Sequence, residues 1–290
     1  MNKLGDLLGM IKFSHTLFAM PFALLGAALA AKGPAGWRGG WRDWLGILLC
    51  MATARSAAMA FNRLADRRID GLNPRTAGRH LPSGRLSTAT VAAFTVATGA
   101  GFGASTLLFW PNRWPSILAG PVLLWLLGYS YAKRFTSLAH LWLGFALAMA
   151  PMAAWIAFRG DLAWPPAWLG LAVLLWVAGF DIIYACQDAQ FDRDQGLHSV
   201  PGRFGVRGAL RLAMACHAGM IAALVGLGLS YPLGTVYFLG VGAAAVLLAY
   251  EHALVRPDDL TRVNLAFFQV NIAISLGLLA VGVGDLMLKG

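Results

Sequence analysis

Long apolar runs alternate with short polar segments along the whole chain, and each run is long enough to cross a lipid bilayer. A transmembrane helix needs about 20 predominantly apolar residues. Such runs are typical of helices, because in lipid only helices and closed barrels satisfy their backbone polar groups, and barrel strands alternate polar with apolar residues. The pattern predicts an all-α, polytopic membrane helical bundle that forms a single domain over residues 1–290. Its nine predicted transmembrane helices cover residues 14–32, 44–64, 89–110, 115–132, 138–158, 164–186, 208–229, 233–250 and 264–287.

Composition agrees with this pattern and excludes soluble, disordered and disulfide-framework proteins. Hydrophobic residues make up 58% of the chain and charged residues 12%, whereas a soluble domain has about 25% charged residues. The three cysteines, Cys50, Cys186 and Cys216, lie in apolar runs without the spacing of metal ligands. We interpret them as small buried residues of the bundle.

Basic residues are distributed unevenly between the two predicted sides of the membrane. There are 23 Lys and Arg against 13 Asp and Glu, and the formal net charge is +10. With nine spans, the side that carries the N-terminus holds 16 basic residues and the opposite side six, with Arg55 left inside a span. The positive-inside rule then places the N-terminus in the cytoplasm and the C-terminus outside. It also explains the basic excess without a nucleic-acid partner.

Acidic residues are scarce, and six of the 13 cluster at the ends of two predicted spans. In the first cluster, Asn62, Asp66 and Asp70 follow one another at steps of four residues. Residues four apart lie on one face of a helix, with Cβ atoms about 5–6 Å apart, so these side chains form one polar stripe. The clustered acidic residues are Asp66, Asp70, Asp181, Asp188, Asp192 and Asp194.

The second cluster has the same form. Asp181, Tyr184, Asp188 and Asp192 follow at steps of three, four and four, which again predicts one helical face. Its last three members each lie 122 residues after a member of the first cluster, and a loop with Pro and Arg follows both clusters. The match predicts an internal pseudo-repeat whose two stripes face each other across a cavity on the cytoplasmic side. The predicted repeats cover about residues 44–160 and 164–287.

Carboxylates side by side repel one another, and ionisable groups at membrane depth are costly. A divalent cation removes both problems, and Mg²⁺ takes hard oxygen ligands, commonly one or two carboxylates together with waters and substrate phosphates. Because Arg-rich loops adjoin the clusters, the sequence predicts a Mg²⁺-diphosphate site. The alternative is two solvated helix ends whose carboxylates form salt bridges with Arg67, Arg68 or Arg193.

Four segments that include these clusters resemble the UbiA family of intramembrane prenyltransferases. Motif order, span number and orientation agree with this family over essentially the whole chain. One departure is Arg63, since many family members carry an acidic residue directly after the Asn. The segments are RSAAMAFNRLADRRID (55–70), RTAGRHLPSGRLS (75–87), YAKRFT (131–136) and DIIYACQDAQFDRD (181–194).

The resemblance implies nine helices around a cavity that opens laterally to lipid. It also implies transfer of a polyprenyl group from polyprenyl diphosphate to an electron-rich aromatic ring, with Mg²⁺ as the cofactor. The segment IKFSHTLFAMPFALLGA (11–27) is similar to enzymes of the bacterial inner membrane that prenylate 4-hydroxybenzoate in quinone biosynthesis. Prenyltransferases of the futalosine route to menaquinone carry similar segments, so the identity of the acceptor stays open.

Three sets of residues are candidates for the site. The candidate metal ligands are Asn62, Asp66, Asp70, Asp181, Asp188 and Asp192. The candidate catalytic residues are Asp66, Asp188, Arg55 and Tyr184. The candidate diphosphate-binding residues are Asn62, Arg75, Arg79, Lys133 and Arg134.

Each candidate outside the acidic stripes has a structural alternative. Arg55 lies on the motif face, deeper in its span, where a buried Arg contacts diphosphate or an acceptor carboxylate, or pairs with an Asp. For Tyr184, the functional interpretation is that it stabilises a carbocation, and the alternative is that it packs in the core. For the loop residues Arg75 and Arg79, the functional interpretation is that they close over the diphosphate, and the alternative is that they are solvated loop charges. By the resemblance, Lys133 and its neighbour bind diphosphate; otherwise they anchor the membrane edge.

A transporter is the alternative from another functional class, since transporters also show internal repeats and intramembrane carboxylates. Here the carboxylates lie at the cytoplasmic ends of their spans beside Arg-rich loops. That position favours an anionic substrate group over a cation pathway.

Overall fold

The computed structural model describes residues 3–12, 16–33 and 36–289, and helices make up nearly all of the regular structure in these ranges. Residues 13–15 of the segment 11–27, and the C-terminal Gly290, lie outside them. The helices are α1 (Lys3–Met10), α2 (Thr16–Ala31), α3 (Trp41–Leu72), α4 (Thr88–Ser105), α5 (Trp114–Ala132), α6 (Ala139–Arg159), α7 (Trp164–Ala185), α8 (Ala189–Asp194), α9 (Val200–Ser230), α10 (Thr235–Leu254), α11 (Val263–Leu265) and α12 (Asn271–Leu288).

Three short segments next to these helices have 3-10 or π-helical rather than α-helical hydrogen bonding. The turns Thr106–Phe109 and Cys186–Asp188 are 3-10 helical, and Ala266–Val270 is a π-helical turn before α12. A short antiparallel ribbon pairs β1 (Lys32–Gly33) with β2 (Gly36–Trp37).

Eight helical segments in the described residues are long and apolar enough to cross a membrane, and they match the second to ninth predicted spans. The prediction of an all-α membrane bundle is therefore confirmed. The first predicted span is α2, which has 16 residues. At about 1.5 Å per residue this helix is about 24 Å long, against a hydrocarbon core of about 30 Å.

Two helices are longer than the spans predicted for them. The helix α3 has 32 residues and ends at Leu72 rather than near residue 64, so the first acidic cluster is entirely helical. The helix α9 has 31 residues and begins at Val200 rather than near residue 208, but it is kinked at Gly205, whose φ of 69° is not helical. Hydropathy ends the α3 span early, because charged residues at a helix end lower the apolar character without breaking the helix. In α9 the predicted start lies just after the kink at Gly205, where the continuous part of the helix begins.

The helices form two compact units. The first contains α1, α3, α4 and α5 up to Tyr131, and α3 packs along α4 within it. Gly46 of α3 lies so near the ring of Phe109 that an added Cβ would approach it to 2.6 Å. A hydrophobic cluster in this unit consists of Met10, Ile11, Ala60, Leu86 and Val91.

The second unit contains α2 from Leu17 onward and the chain from Ala132 onward. Its central helix α7 packs against α6 and α9, and α10 packs against α9 and α12. Where α6 approaches α7, an added Cβ at Gly144 would overlap the Leu174 backbone, so only a small residue permits this contact. The internal pseudo-repeat stays a prediction.

Candidate functional site

The first acidic cluster lies on the last turns of α3, where helical geometry holds its polar side chains in a row. The Nδ2 of Asn62 donates a hydrogen bond to Oδ2 of Asp66 at 3.0 Å. The amide oxygen of Asn62 and the carboxylate of Asp66 therefore lie next to each other on a half-buried helix face. This is the one-face arrangement that the four-residue steps predict.

Asp70, one turn further, is tied to basic residues. Nη1 of Arg79 donates to Oδ1 of Asp70 at 2.7 Å, and Nη1 of Arg63 lies 3.7 Å from Oδ2. Asp70 and Arg63 are 6% and 8% exposed, so this ion pair is largely shielded from water. The alternative partners Arg67 and Arg68 are exposed. The loop residue predicted to bind diphosphate, Arg79, thus contacts the acidic stripe itself.

A set of cations converges beside this stripe. Partial burial of the Lys12 ammonium and the positive charges of Arg63, Arg79 and Arg75 lower the pKa of Lys12 below its ordinary value of 10.5. The backbone N–H of Arg75 donates to Oδ1 of Asn73 at 2.9 Å, which orders the start of the loop that carries Arg75 and Arg79. Like charges held this close favour binding of a multivalent anion, because the anion relieves their repulsion.

Arg55 lies seven residues before Asn62 on α3, about 10 Å further along the helix axis. Its Nε is buried and has no hydrogen-bond partner among the described residues. A buried guanidinium N–H without an acceptor is costly, so this position suits an anionic ligand group.

The second acidic cluster does not lie on one uninterrupted helix. The α-helix α7 ends at Ala185, the 3-10 turn Cys186–Asp188 follows, and α8 begins at Ala189. Because a 3-10 turn has about 3.0 residues per turn rather than 3.6, Asp188 and Asp192 are rotated from the stripe that the steps of three, four and four predict. The sequence contains no proline at this break, so periodicity alone did not reveal it.

Asp181 is held by a histidine from α6. His140, 1% exposed, places Nδ1 at 2.6 Å from Oδ2 of Asp181. The backbone N–H of Val200 donates to Nε2 of His140 at 3.4 Å. Since Nε2 accepts, we assign the ring proton to Nδ1, and His140 donates it to the carboxylate. His140 thereby engages one carboxylate oxygen of Asp181.

Asp188 and Asp192 are buried, with exposures of 8% and 2%. Oδ2 of Asp192 is buried without a hydrogen-bond partner among the described residues. The start of α9 approaches it, since an added Cβ at Gly202 would lie 3.8 Å from Cβ of Asp192. By contrast, Asp194 is exposed and accepts a hydrogen bond from Gln190 at 2.8 Å. Arg193, the alternative salt-bridge partner, donates to the same Gln190.

The two basic residues after α5 differ in their placement. The carbonyl of Lys133 accepts a hydrogen bond from the N–H of His198 at 2.7 Å, so Lys133 adjoins the loop after the second cluster. Arg134 is exposed. Their binding of diphosphate stays a prediction.

Tyr184 belongs to an aromatic group rather than to the apolar core alone. Its half-buried ring lies 4.5 Å from the ring of Phe267, measured between centroids. The Phe267 ring in turn lies 5.3 Å from Phe180 and 5.4 Å from Phe18. The second acidic cluster is therefore bordered by aromatic ring faces.

The donor atoms fit a hard cation such as Mg²⁺. Each cluster offers carboxylate oxygens, with an amide oxygen beside them in the first and the unpartnered Oδ2 of Asp192 in the second. Over residues 3–12, 16–33 and 36–289, however, no three His, Cys, Asp or Glu side chains group closely enough to hold a metal ion by themselves. Substrate phosphate oxygens would have to complete the coordination, as is usual for Mg²⁺.

Three residues lie next to the candidate site that the sequence analysis did not include among the candidates: Arg63, His140 and Lys12. Arg63 is the most accessible to prediction, because it lies seven residues before Asp70 and so within about 20° of the same helix face. His140 and Lys12 gave no such signal. His140 is 41 residues from Asp181 in the chain, and only the packing of α6 on α7 brings them together.

Comparison with known proteins extends the similarity to the whole chain. A model of the UbiA prenyltransferase family matches residues 19–274. A 4-hydroxybenzoate octaprenyltransferase of Vibrio vulnificus is 32% identical over 267 residues, which cover 91% of this chain and 91% of that protein. A 4-hydroxybenzoate octaprenyltransferase of Nitrosospira multiformis is 33% identical over 220 residues, 75% of this chain and 74% of that protein.

Solved structures share the fold. The apo structure of a UbiA homolog from Aeropyrum pernix K1 has a TM-score of 0.80 at 31% identity, covering 95% of this chain and 98% of that chain. A UbiA homolog from Archaeoglobus fulgidus bound to GPP and Mg²⁺ has a TM-score of 0.73 at 19% identity, covering 97% of this chain and 99% of that chain. The second likeness concerns the fold alone.

Proposed function

This multi-pass membrane protein belongs to the UbiA prenyltransferase family, and from that membership we propose that it transfers a polyprenyl group from polyprenyl diphosphate to 4-hydroxybenzoate in ubiquinone biosynthesis. The acceptor follows from the relatives, which are named 4-hydroxybenzoate octaprenyltransferases at 32–33% identity. A menaquinone precursor of the futalosine route is the alternative acceptor.

One observation carries the proposal: cations converge on a stripe of oxygen ligands at the end of a membrane-spanning helix. Asp66 and Asp70 lie on this stripe, Arg63 and Arg79 pair with Asp70, and Lys12 lies near enough to these arginines for their charges to lower its pKa. Carboxylates bind the metal ion that a diphosphate carries, and the basic side chains bind the remaining phosphate charge. A cation pathway would not need the basic residues, so a transporter is disfavoured.

We assign metal binding to both clusters. When bound, Mg²⁺ neutralises charge on the diphosphate leaving group. Each cluster contributes oxygen donors to such an ion. The ligands are Asn62, Asp66 and Asp70 in the first cluster, and Asp181, Asp188 and Asp192 in the second.

The remaining candidates act on the organic substrates. Arg75, Arg79, Lys133 and Arg134 bind the diphosphate and stabilise the charge that develops as the allylic C–O bond breaks and its electron pair leaves with the diphosphate. Arg55, deeper in α3, binds an anionic group, for which the carboxylate of the acceptor is suited. A carbon of the electron-rich acceptor ring attacks the allylic carbon, and the ring proton is then lost to solvent.

Membrane placement serves this chemistry, because water would capture an allylic cation before the acceptor did. We place the protein in the bacterial inner membrane with both acidic clusters towards the cytoplasm, following the bias of basic residues. The prenyl chain then stays among lipid and apolar side chains.

The decisive experiment incubates the purified protein with radiolabelled polyprenyl diphosphate, Mg²⁺ and 4-hydroxybenzoate, and measures labelled lipid product. We expect a prenylated phenolic acid that requires all three additions. Asp192→Ala should abolish it, whereas Asp194→Ala, on the same short helix but exposed, should not. Absence of product with every phenolic acceptor would refute the proposal.

A further inference from the structure

A π-helical turn at Ala266–Val270 sets the position of the aromatic ring next to Tyr184. Such turns are rare and occur frequently at functional sites. The extra residue of the turn displaces backbone carbonyls from their helical donors. Here Nδ2 of Asn271 lies 3.3 Å from the carbonyl oxygen of Ala266 and 3.1 Å from that of Phe267, and these two carbonyls share one of its N–H groups.

Asn271 is itself fixed by two buried side chains. Nε1 of Trp176 on α7 donates to Oδ1 of Asn271 at 2.6 Å, which identifies that atom as the amide oxygen, since an indole N–H only donates. Nδ2 of Asn271 donates to Oε1 of Glu251 on α10 at 3.1 Å. Glu251 and Trp176 are both 0% exposed, as is Asn271. Glu251 is the only glutamate in the chain, and the acidic clusters do not use it.

This network helps to position the ring of Phe267. Asn271 donates to the carbonyl of Phe267 itself, so the network fixes the backbone that carries this ring. The ring lies 4.5 Å from Tyr184, with Phe18 and Phe180 packed behind it and 4% and 3% exposed. Tyr184 and Phe267 are only half-buried, and Tyr184 belongs to the second acidic cluster.

On the proposed function, we infer that Phe267 and Tyr184 form an aromatic wall against the allylic end of the prenyl donor, and that Asn271 and Glu251 are positioning residues for Phe267. A ring face attracts the positive charge that develops when the C–O bond breaks. The same rings exclude water. The wall thereby favours capture of the allylic carbon by the acceptor.

Two outcomes compete after the C–O bond breaks. Attack by the acceptor ring, followed by loss of a ring proton, gives the prenylated acid. Attack by water, followed by loss of a proton, gives the prenyl alcohol. The ratio of alcohol to prenylated acid does not depend on how much enzyme is folded, so it separates a role in positioning from a role in stability.

The experiment measures this ratio with radiolabelled donor for the wild type and for variants at Phe267. We expect Phe267→Leu to raise the ratio of alcohol to prenylated acid about fivefold, equivalent to about 1 kcal/mol, and Phe267→Tyr to restore it. Phe238→Leu is the matched control, since Phe238 is also half-buried and packs at 5.6 Å on Tyr237. An unchanged ratio of alcohol to prenylated acid in Phe267→Leu would refute the assignment of Phe267 to the aromatic wall.

A second pair of variants tests the positioning residues. Glu251→Gln keeps an oxygen that accepts from Asn271 and should keep the wild-type ratio, whereas Glu251→Leu should raise it. If Glu251→Leu lowers only the yield of folded protein, its role is structural and the positioning assignment is wrong. If the wild type forms no prenylated acid, the proposed function fails instead.

Discussion

Replacing Asp66 and Asp70 separately distinguishes a metal ligand from a metal ligand that also forms a structural ion pair. Asp66 accepts a hydrogen bond from Asn62 on a half-buried face and attracts the positive charge of Arg63, so its loss should cost about 1 kcal/mol of stability. Asp70 pairs with Arg79 at 2.7 Å and lies 3.7 Å from the buried Arg63. Its removal leaves that guanidinium without its carboxylate, and we expect a loss of about 2–3 kcal/mol, below the cost for a fully buried pair because Arg79 is partly exposed.

The loss of turnover in these variants should not parallel their loss of stability. If Asp66 binds Mg²⁺-diphosphate, Asp66→Ala lowers turnover about 100-fold or more, equivalent to about 2.7 kcal/mol in the barrier. Its melting temperature in detergent should stay close to that of the wild type, while Asp70→Ala should melt clearly earlier. Melting temperature and specific activity are measured on the same preparations, with Arg67→Ala as the control because Arg67 is an exposed neighbour on α3.

The reverse result for Asp66 would refute the reasoning. An Asp66→Ala protein that melts early, yet turns over normally per folded molecule, would make Asp66 a structural residue and remove it from the candidate catalytic set. Asp188→Ala, which removes a buried carboxylate of the second cluster, should likewise lower turnover about 100-fold.

Three further predictions concern the metal ion, the topology and the cations. Activity should disappear in excess chelator and return with Mg²⁺ or Mn²⁺; full activity in chelator would remove the metal assignment. Cysteines introduced in loops 71–88 and 193–207 should resist impermeant reagents in intact cells, and labelling from outside would reverse the orientation. Because partial burial and neighbouring arginines lower the pKa of Lys12, bound diphosphate should raise this pKa, so donor binding above the lowered pKa takes up protons and weakens as pH rises. Titration calorimetry in two buffers measures this uptake, which Lys12→Met should abolish.

Local pattern was enough to predict the helical bundle and the first acidic cluster. Apolar runs of membrane length must be helical, because no other local structure satisfies a single segment's backbone in lipid. The Asn62–Asp66 contact also follows from spacing alone, since both residues lie on one continuous helix. Segment ends were less accurate, because charged final turns remain helical after hydropathy has fallen.

Contacts between distant segments depended on tertiary packing. The bond between His140 and Asp181 joins residues 41 apart, and it exists only because α6 packs on α7. The Asn271 side chain that bonds to the π turn is itself held by side chains of two other helices. Trp176, Glu251 and Asn271 come from three different helices. A single sequence shows which side chains share a helix face, but the partner of a buried polar group is decided by which helices pack together.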